Sequence, residues 1–342
     1  MKAPASRRPR AGRTSGCPNA HDGPVHPGEL TRRGLLSLVL ATAGCSLLDG
    51  SRPAAGTPVV VATGETQGFF FAYGRELAAV LAAGLPEARV STVTTSGTVD
   101  NLRRAAGTPG TFGLAALDAA AAAQHGQEPF ALPEPPRAVG RLFDDYVHLV
   151  VTGESPVRRI ADLAGRRVSV GPAGSGSALV AGRVLEVSGL RGRVTEERLG
   201  FSEALTALDQ GRLDALFWQG GLPTGSIVRL AGRRPLRLVP LGELLGPMRV
   251  RYGPYYRAAS IPRGVYSNAV LVDTIAVPDL LVTSAATDPV LVHEVLELIF
   301  DDRQRLERAV PTAAQLDPRA AIATSPLPLH EGALRYYREV KR

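Results

Sequence analysis

From residue 58 onward the chain alternates short β-branched runs with longer stretches of helical spacing. Val59-Val60-Val61-Ala62 is an apolar run of the kind that buried parallel strands make. A polar glycine loop, 63–68, follows it, and then helical spacing over 69–85 stops at Gly84-Leu85-Pro86. Residues 89–94 read as a second strand, and Thr95-Ser96-Gly97-Thr98 forms a second polar loop that opens a helix over 99–106. A third strand is expected over 112–116. It leads through Leu117-Asp118 into an alanine-rich helix that ends near His125.

A proline-rich loop, 126–138, separates this unit from a strand-rich stretch, 139–152. The same order then repeats. Val168-Ser169-Val170 is a strand, 171–177 a glycine- and serine-rich loop, and 178–189 a helix. Residues 195–198 form a strand, 202–210 a helix and 214–218 another strand. Alternating strands and helices imply parallel sheets. The expected fold class is therefore α/β, with two lobes around a cleft. Residues 245–275 read as irregular, 274–284 as strand, 289–300 as an amphipathic helix and 303–309 as a further turn.

The segment before residue 58 has a different character. Residues 1–31 are rich in Arg, Pro and Gly without hydrophobic period, which is the composition of an unfolded leader. Arg32-Arg33 then precede the apolar run Leu35-Leu36-Ser37-Leu38-Val39-Leu40-Ala41. That run is shorter than the roughly 20 residues a spanning helix needs, and it has the length of a signal-peptide core behind a basic flank. It ends at Thr42-Ala43-Gly44-Cys45, which resembles a bacterial lipobox, so residues 1–44 are expected to be an export signal and Cys45 the lipidation site. Residues 45–57 then form a lipidated tether. A diacyl or triacyl group on Cys45 would hold the domain at the extracytoplasmic face of the membrane. The only other cysteine, Cys17, lies in the leader, leaving no thiol for a disulfide, metal or nucleophile in the mature chain.

The formal charge of +7 invites a nucleic-acid reading, but seven basic and two acidic residues fall within 1–44. The remaining 32 basic and 30 acidic residues leave only +2, with no basic stripe, so no nucleic-acid partner is expected. Lysine occurs only at Lys2 and Lys341, which excludes chemistry that needs a buried lysine, such as a Schiff base. No G-x-S-x-G elbow is present. His293-Glu294 begins like a zinc-protease motif, but Glu297 stands where its second histidine belongs. No catalytic residue, metal or cofactor is expected.

The candidate chemistry lies in the loops 63–68, 94–98 and 171–177. Each follows a strand and opens a helix. The first turn of a helix carries N–H donors without intrahelical partners and a partial positive charge, so it binds an anion without help from Lys or Arg. In open α/β sheets ligands lie beyond the carboxyl ends of the strands. Three such ends facing one cleft would cradle a carboxylate; taken singly, each would be an ordinary helix cap.

The stretches Val61-Ala62-Thr63-Gly64, Tyr73-Gly74 and Thr95-Ser96-Gly97-Thr98-Val99-Asp100-Asn101-Leu102 resemble the TAXI branch of TRAP-transporter solute-binding proteins. So do Gly171-Pro172-Ala173-Gly174-Ser175-Gly176-Ser177 and the stretch from Gly211 through Phe217-Trp218-Gln219-Gly220-Gly221 to Thr224. The resemblance covers about 58–310. It implies a two-lobed type-II periplasmic-binding-protein-like fold that closes on a small anionic solute, a glutamate-like amino acid or a dicarboxylate. It also implies delivery of that solute to a TRAP-type membrane permease. Lobe 1 would comprise 58–147 and 250–342 and lobe 2 148–249, in a chain acting as a monomer. By position, ligand contacts would come from Thr63, Gly64, Tyr73, Ser96, Gly97, Thr98, Asp118, Gly174, Ser175, Ser177, Trp218 and Gly221. Glu65, beside the cradle, would either repel a carboxylate or hold an ammonium group. A ligand-sensing module for a membrane kinase and an enzyme on the same fold are the alternative readings.

Overall fold

The computed structural model describes residues 56–341. The expected export signal, Arg32-Arg33 and the lipidation site Cys45 lie outside the described residues, as does the tether up to residue 55. Strand β1 (Pro58–Ala62), helix α1 (Phe69–Gly84), β2 (Arg89–Val93), α2 (Thr98–Gly107), β3 (Thr111–Ala116) and α3 (Leu117–Gln124) lead into the long strand β4 (Arg137–Thr152). Next come β5 (Arg167–Ser169), α4 (Gly176–Val187), β6 (Thr195–Glu197), α5 (Phe201–Asp209), β7 (Ala215–Gly220), α6 (Gly225–Ala231) and β8 (Leu236–Leu238). The chain continues through α7 (Leu245–Tyr252), β9 (Arg257–Ile261) and β10 (Val272–Thr283). It finishes in α8 (Pro289–Asp301), α9 (Arg303–Ala309), α10 (Pro318–Ala321) and α11 (Glu331–Val340).

The strands form one mixed sheet in the order β2-β1-β3-β10-β4-β7-β5-β6, with β8 on β4 and β9 on β10. β1 is parallel to β2 and β3, and β5 is parallel to β6 and β7. The two parallel sets are joined by the antiparallel pair β4 and β10. Strand β4 changes partner at Tyr146, which pairs with Ala276 of β10 on one side and Gly220 of β7 on the other. The α/β architecture read from the alternation is the one observed.

Each parallel set has its own core. On α1, Tyr73, Leu77, Val80 and Leu81 recur at helical spacing and are fully buried, so one face of the helix is apolar and lies on the sheet. They pack in one cluster with Val59 of β1, Val292 and Val295 of α8 and Tyr337 of α11. A second cluster joins Leu149 of β4, Val168 of β5, Val184 of α4 and Phe217 of β7 to Met248, Tyr256 and Val277. Helix α8 starts where Asp288 caps it: the carboxylate accepts from the Val290 N–H at 2.9 Å, and Pro289 takes the first helical position.

The stretch 245–275 departs from the expectation of irregular structure. It contains α7, which buries only Met248 and so shows no apolar period, and β9, whose order comes from pairing with β10. Helix α11 has buried tyrosines at 336 and 337 that the expected elements did not include.

Candidate solute site

The carboxyl ends of the parallel strands open on one cavity of about 50 Å³. Gly64 and Glu65 reach it from the loop after β1, Ser96 and Gly97 from the loop after β2, and Thr98 from the first turn of α2. Ser169 ends β5, Gly171, Pro172 and Ser175 follow it, and Gly176 and Ser177 begin α4. Trp218 and Gln219 come from β7, and Asp145 from β4 one residue before the change of partner.

Two of the three loops predicted to cradle an anion meet face to face. The Gly174 carbonyl accepts from the N–H of Val99 at 3.0 Å, so the loop before α4 sits on the first turn of α2. Gly174 has φ of +85°, and a Cβ there would stand 2.7 Å from Ser96 Oγ. A side chain at this position would strain the backbone and part the loops. Only Ser175 caps its helix by side chain, Oγ accepting from the Ala178 N–H at 3.0 Å; α1 and α2 begin at Gly68 and Gly97 without a side-chain cap. With the N–H groups of Val99 and Asp100 on the Gly174 carbonyl and that of Ala178 on Ser175 Oγ, the first-turn residues left on the lining are Thr98 of α2 and Gly176 and Ser177 of α4.

Aromatic rings make the wall. Phe201 stacks on Trp218 at 3.7 Å between centroids, and the Trp218 indole N–H donates to Thr224 Oγ1 at 3.0 Å. Phe69 adds a third ring, edge-on to Phe143 at 4.9 Å.

The charged lining is acidic. Glu65 and Asp145 face the cavity, and no Arg, Lys or His is among its described lining residues. Glu65 is already engaged: its Oε2 accepts from the Phe201 N–H at 2.7 Å, capping α5 from 136 residues away. Helix α5 starts at Gly200 with no side-chain cap of its own, so Glu65 supplies the missing acceptor. Asp145 is buried, and burial pushes its pKa up to about 7, with Asp144 raising it further and a hydrogen bond from Asp279 opposing. Asp279 is fully buried too; burial first, then the charges of Asp145, Asp144 and Asp118, holds its pKa well above the usual carboxylate range. The two carboxyls lie on adjacent strands, and burial raises both.

Of the residues carried over by resemblance, Gly64, Ser96, Gly97, Thr98, Ser175, Ser177 and Trp218 line the cavity. The other five do not. Thr63 is fully buried and donates to the Val93 carbonyl at 3.0 Å, tying β1 to β2. Tyr73 is buried in the first core against Phe143. Asp118 is buried against Arg183 and Tyr256. Gly174 lies behind the lining, holding the two loops together. At Gly221 a Cβ would stand 2.6 Å from the Phe69 ring, so this glycine makes room for the aromatic wall. Asp145, Ser169, Gln219, Phe69 and Phe201 line the cavity without having been anticipated. An acidic pair, Asp144-Asp145, in the middle of a strand was the available signal, since a carboxylate inside a sheet is rarely buried without a reason.

Among the described residues no group of three or more His, Cys, Asp or Glu is placed to hold a metal, and no helix is long and apolar enough to cross a membrane. His293 instead bonds Glu339 through Nε2 at 2.8 Å.

A family model described as the NMT1-like family matches residues 61–340. Among solved structures, the chain is similar to MatC from Rhodopseudomonas palustris with bound malate. The identity is 16% and the TM-score 0.52, over 84% of this chain and 97% of that one. It is also similar to the periplasmic aliphatic sulphonate binding protein SsuA from Escherichia coli, at 17% identity and a TM-score of 0.43, over 83% of each chain. The alkanesulfonate-binding protein SsuA from Xanthomonas axonopodis pv. citri bound to MOPS matches at 18% identity and a TM-score of 0.46, over 84% of this chain and 92% of that one. The likeness to MatC is one of fold.

Proposed function

The chain belongs to the NMT1-like family, and on that premise we propose that it is an exported, lipid-anchored solute-binding protein that captures a small carboxylate-bearing metabolite without chemical change. The observation that carries this reading is the cavity at the carboxyl ends of two parallel strand sets. The first turns of α2 and α4 are turned toward it and aromatic rings wall it. Helix N-termini supply the attraction for a carboxylate that the lining lacks in Arg or Lys. The finer reading is the one the motifs suggested: a TAXI-type subunit handing its cargo to a TRAP-type permease, with Cys45 as the anchor point.

In this reading the two parallel sets are the lobes, and the long strands β4 and β10 are the hinge. The double pairing of Tyr146 supports a first crossing near 147. The packing of Tyr256 in the second core favours a return near Ala276 rather than at 250. Glu65 on Phe201 and Gly174 on Val99 are then contacts that hold the lobes closed.

A thermal-shift screen of the full chain against amino acids, dicarboxylates, 2-oxoacids and neutral sugars tests the function. A solute at about 100 times its Kd should add about 2.7 kcal/mol of stability. A shift with a carboxylate, which is recovered unaltered, is the expected result. A folded protein that responds only to neutral sugars, or to nothing in the panel, would sink the carboxylate reading.

A further inference from the structure

Alternate residues of a strand face the same side of its sheet. The register of β10, β4 and β7 therefore puts Asp279, Asp145 and Gln219 on one face, where the two strand sets meet. Val277 pairs with Asp145 and Asp279 with Phe143, so Asp279 is a diagonal neighbour of Asp145. On the other side of β4, Gln219 pairs with Val147, the next residue on that face after Asp145. Diagonal neighbours stand roughly 7 Å apart, close enough for both to reach one group between them. The three side chains are 0%, 2% and 6% exposed in that order. Asp145 and Gln219 line the cavity, and Asp279 is not on the lining.

Both Oε1 and Nε2 of Gln219 are buried without a hydrogen-bond partner among the described residues, although its backbone N–H donates to Ser177 Oγ at 3.0 Å. A buried amide left unpaired is costly, and this one faces a cavity. Gly176 keeps the space beside it open: a Cβ there would stand 3.0 Å from Gln219 Oε1 and 2.8 Å from Thr98 Oγ1. Asp145 and Asp279 are bonded to each other, and burial raises the pKa of both. Two carboxyls that close do not both ionise readily, so the pair keeps at least one proton where ordinary carboxylates have lost theirs.

The other ionisable groups around the pair are already engaged. Asp144 of β4 is paired with Arg141 at 2.8 Å and with Arg257 of β9 at 3.8 Å, and Asp118 of α3 with Arg183 of α4 at 2.9 Å. Glu65, on the lining, accepts from the Phe201 N–H. Tyr73 of α1 and Tyr256 are phenols whose pKa burial raises, so both stay neutral. The N–H groups of Val99, Asp100 and Ala178 are taken by Gly174 and Ser175. Side-chain donors therefore matter for a solute carboxylate.

Building on the solute-binding reading, we propose that Asp145, backed by Asp279, and Gln219 form the subsite for the solute's carboxylate, and that this carboxylate binds together with one proton. The proton comes from solvent and goes to the carboxyl pair. With both carboxyls protonated, one O–H bridges Asp145 and Asp279, and the other, on Asp145, donates to one carboxylate oxygen. Gln219 Nε2 donates to the second oxygen. Two neutral donors side by side then take the place of the guanidinium fork that usually holds a carboxylate, and the solute meets no like charge.

The test is isothermal titration of the full chain with glutarate, L-malate and L-glutamate at pH 6.5 and pH 8.5, where their carboxylates are ionised. At least one binds at pH 6.5, and its Kd rises by about tenfold per pH unit above 7. At pH 8.5, buffers of different ionisation enthalpy show uptake of up to about one proton per solute bound. Asp145→Asn, which keeps a donor but cannot titrate, abolishes the uptake and flattens the pH profile. Gln219→Leu weakens binding by about 10-fold at both pH values and leaves the uptake in place. The wild-type measurements decide the question without any variant. A probe that binds equally well at both pH values without taking up a proton overturns the subsite and leaves solute binding standing. Uptake that survives in Asp145→Asn puts the proton elsewhere and overturns it too. If none of the three binds at pH 6.5, the subsite is overturned, and the wider screen then decides the carboxylate reading.

Discussion

Arg183 Nη1 donates to Asp118 Oδ2 at 2.9 Å across 65 residues of sequence, and the Tyr256 hydroxyl donates to the same oxygen at 2.9 Å. The pair joins α3 to α4, and its side chains are 10% and 2% exposed. Removing one partner of a buried pair leaves the other charge unpaired, so Arg183→Met is expected to cost about 3–5 kcal/mol in urea unfolding. The double variant Arg183→Met, Asp118→Leu should recover much of that loss. If the single variant unfolds at the wild-type urea concentration, the pair is idle.

Glu65 caps α5 through the Phe201 N–H. Glu65→Ala is expected to lose about 1 kcal/mol of stability, the usual worth of a helix cap. If the bond also holds the cleft closed, dissociation of a bound solute speeds up, which stopped-flow fluorescence would read. Glu65→Gln keeps an acceptor and should retain most of both properties.

His148 is fully buried in β4, with Nδ1 donating to the Tyr146 carbonyl at 2.9 Å and Nε2 accepting from the Tyr266 hydroxyl at 3.0 Å. Burial lowers its pKa to about 4. Between about 6.5 and 4 the unfolded chain binds a proton that the folded ring refuses. The contribution is therefore present above pH 6.5 and is lost as pH falls toward 4, by about 3 kcal/mol in full. A His148→Gln variant should show a flatter fall in stability than the wild type between pH 7 and pH 4 in denaturant melts. Parallel curves would count against this.

Asp279 has the opposite sign. Its folded pKa is raised by burial, so the carboxyl is tolerated while protonated and loses stability as pH climbs through the folded value. Asp279→Asn keeps the shape without the ionisation. It should melt a few degrees higher than the wild type at pH 8, and the gain should shrink toward pH 4. A gain that is the same at both pH values would show that the carboxyl does not titrate as described.

Trp218 is the single tryptophan of the chain, and it is part of the cavity wall. Its emission should therefore change in step with any solute that raises the melting temperature, saturating at the same Kd as calorimetry. A stabilising solute that leaves the emission unchanged would bind elsewhere.

The alternation of β-branched runs with helical spacing placed most of the strands and helices of the α/β fold, because periodicity of burial is a local property of the chain. The strand-loop-helix pattern likewise located the polar loops after β1, β2 and β5, since glycine and serine at helix starts follow from local backbone requirements. Seven of the twelve residues expected at the site reach the cavity for this reason.

Which residues share the floor was decided in three dimensions. Asp145, Ser169 and Gln219 come from three different strands, and nothing in the spacing of 145, 169 and 219 encodes that all three reach one lining. The same holds for Glu65 and Phe201, and for Asp118, which the motif marked as a contact and the tertiary structure gave to Arg183. Local pattern determines what a segment can become. Pairing between distant strands determines which side chains share a cavity or a charge, because a carboxylate or an amide is satisfied only by the group that packing sets against it.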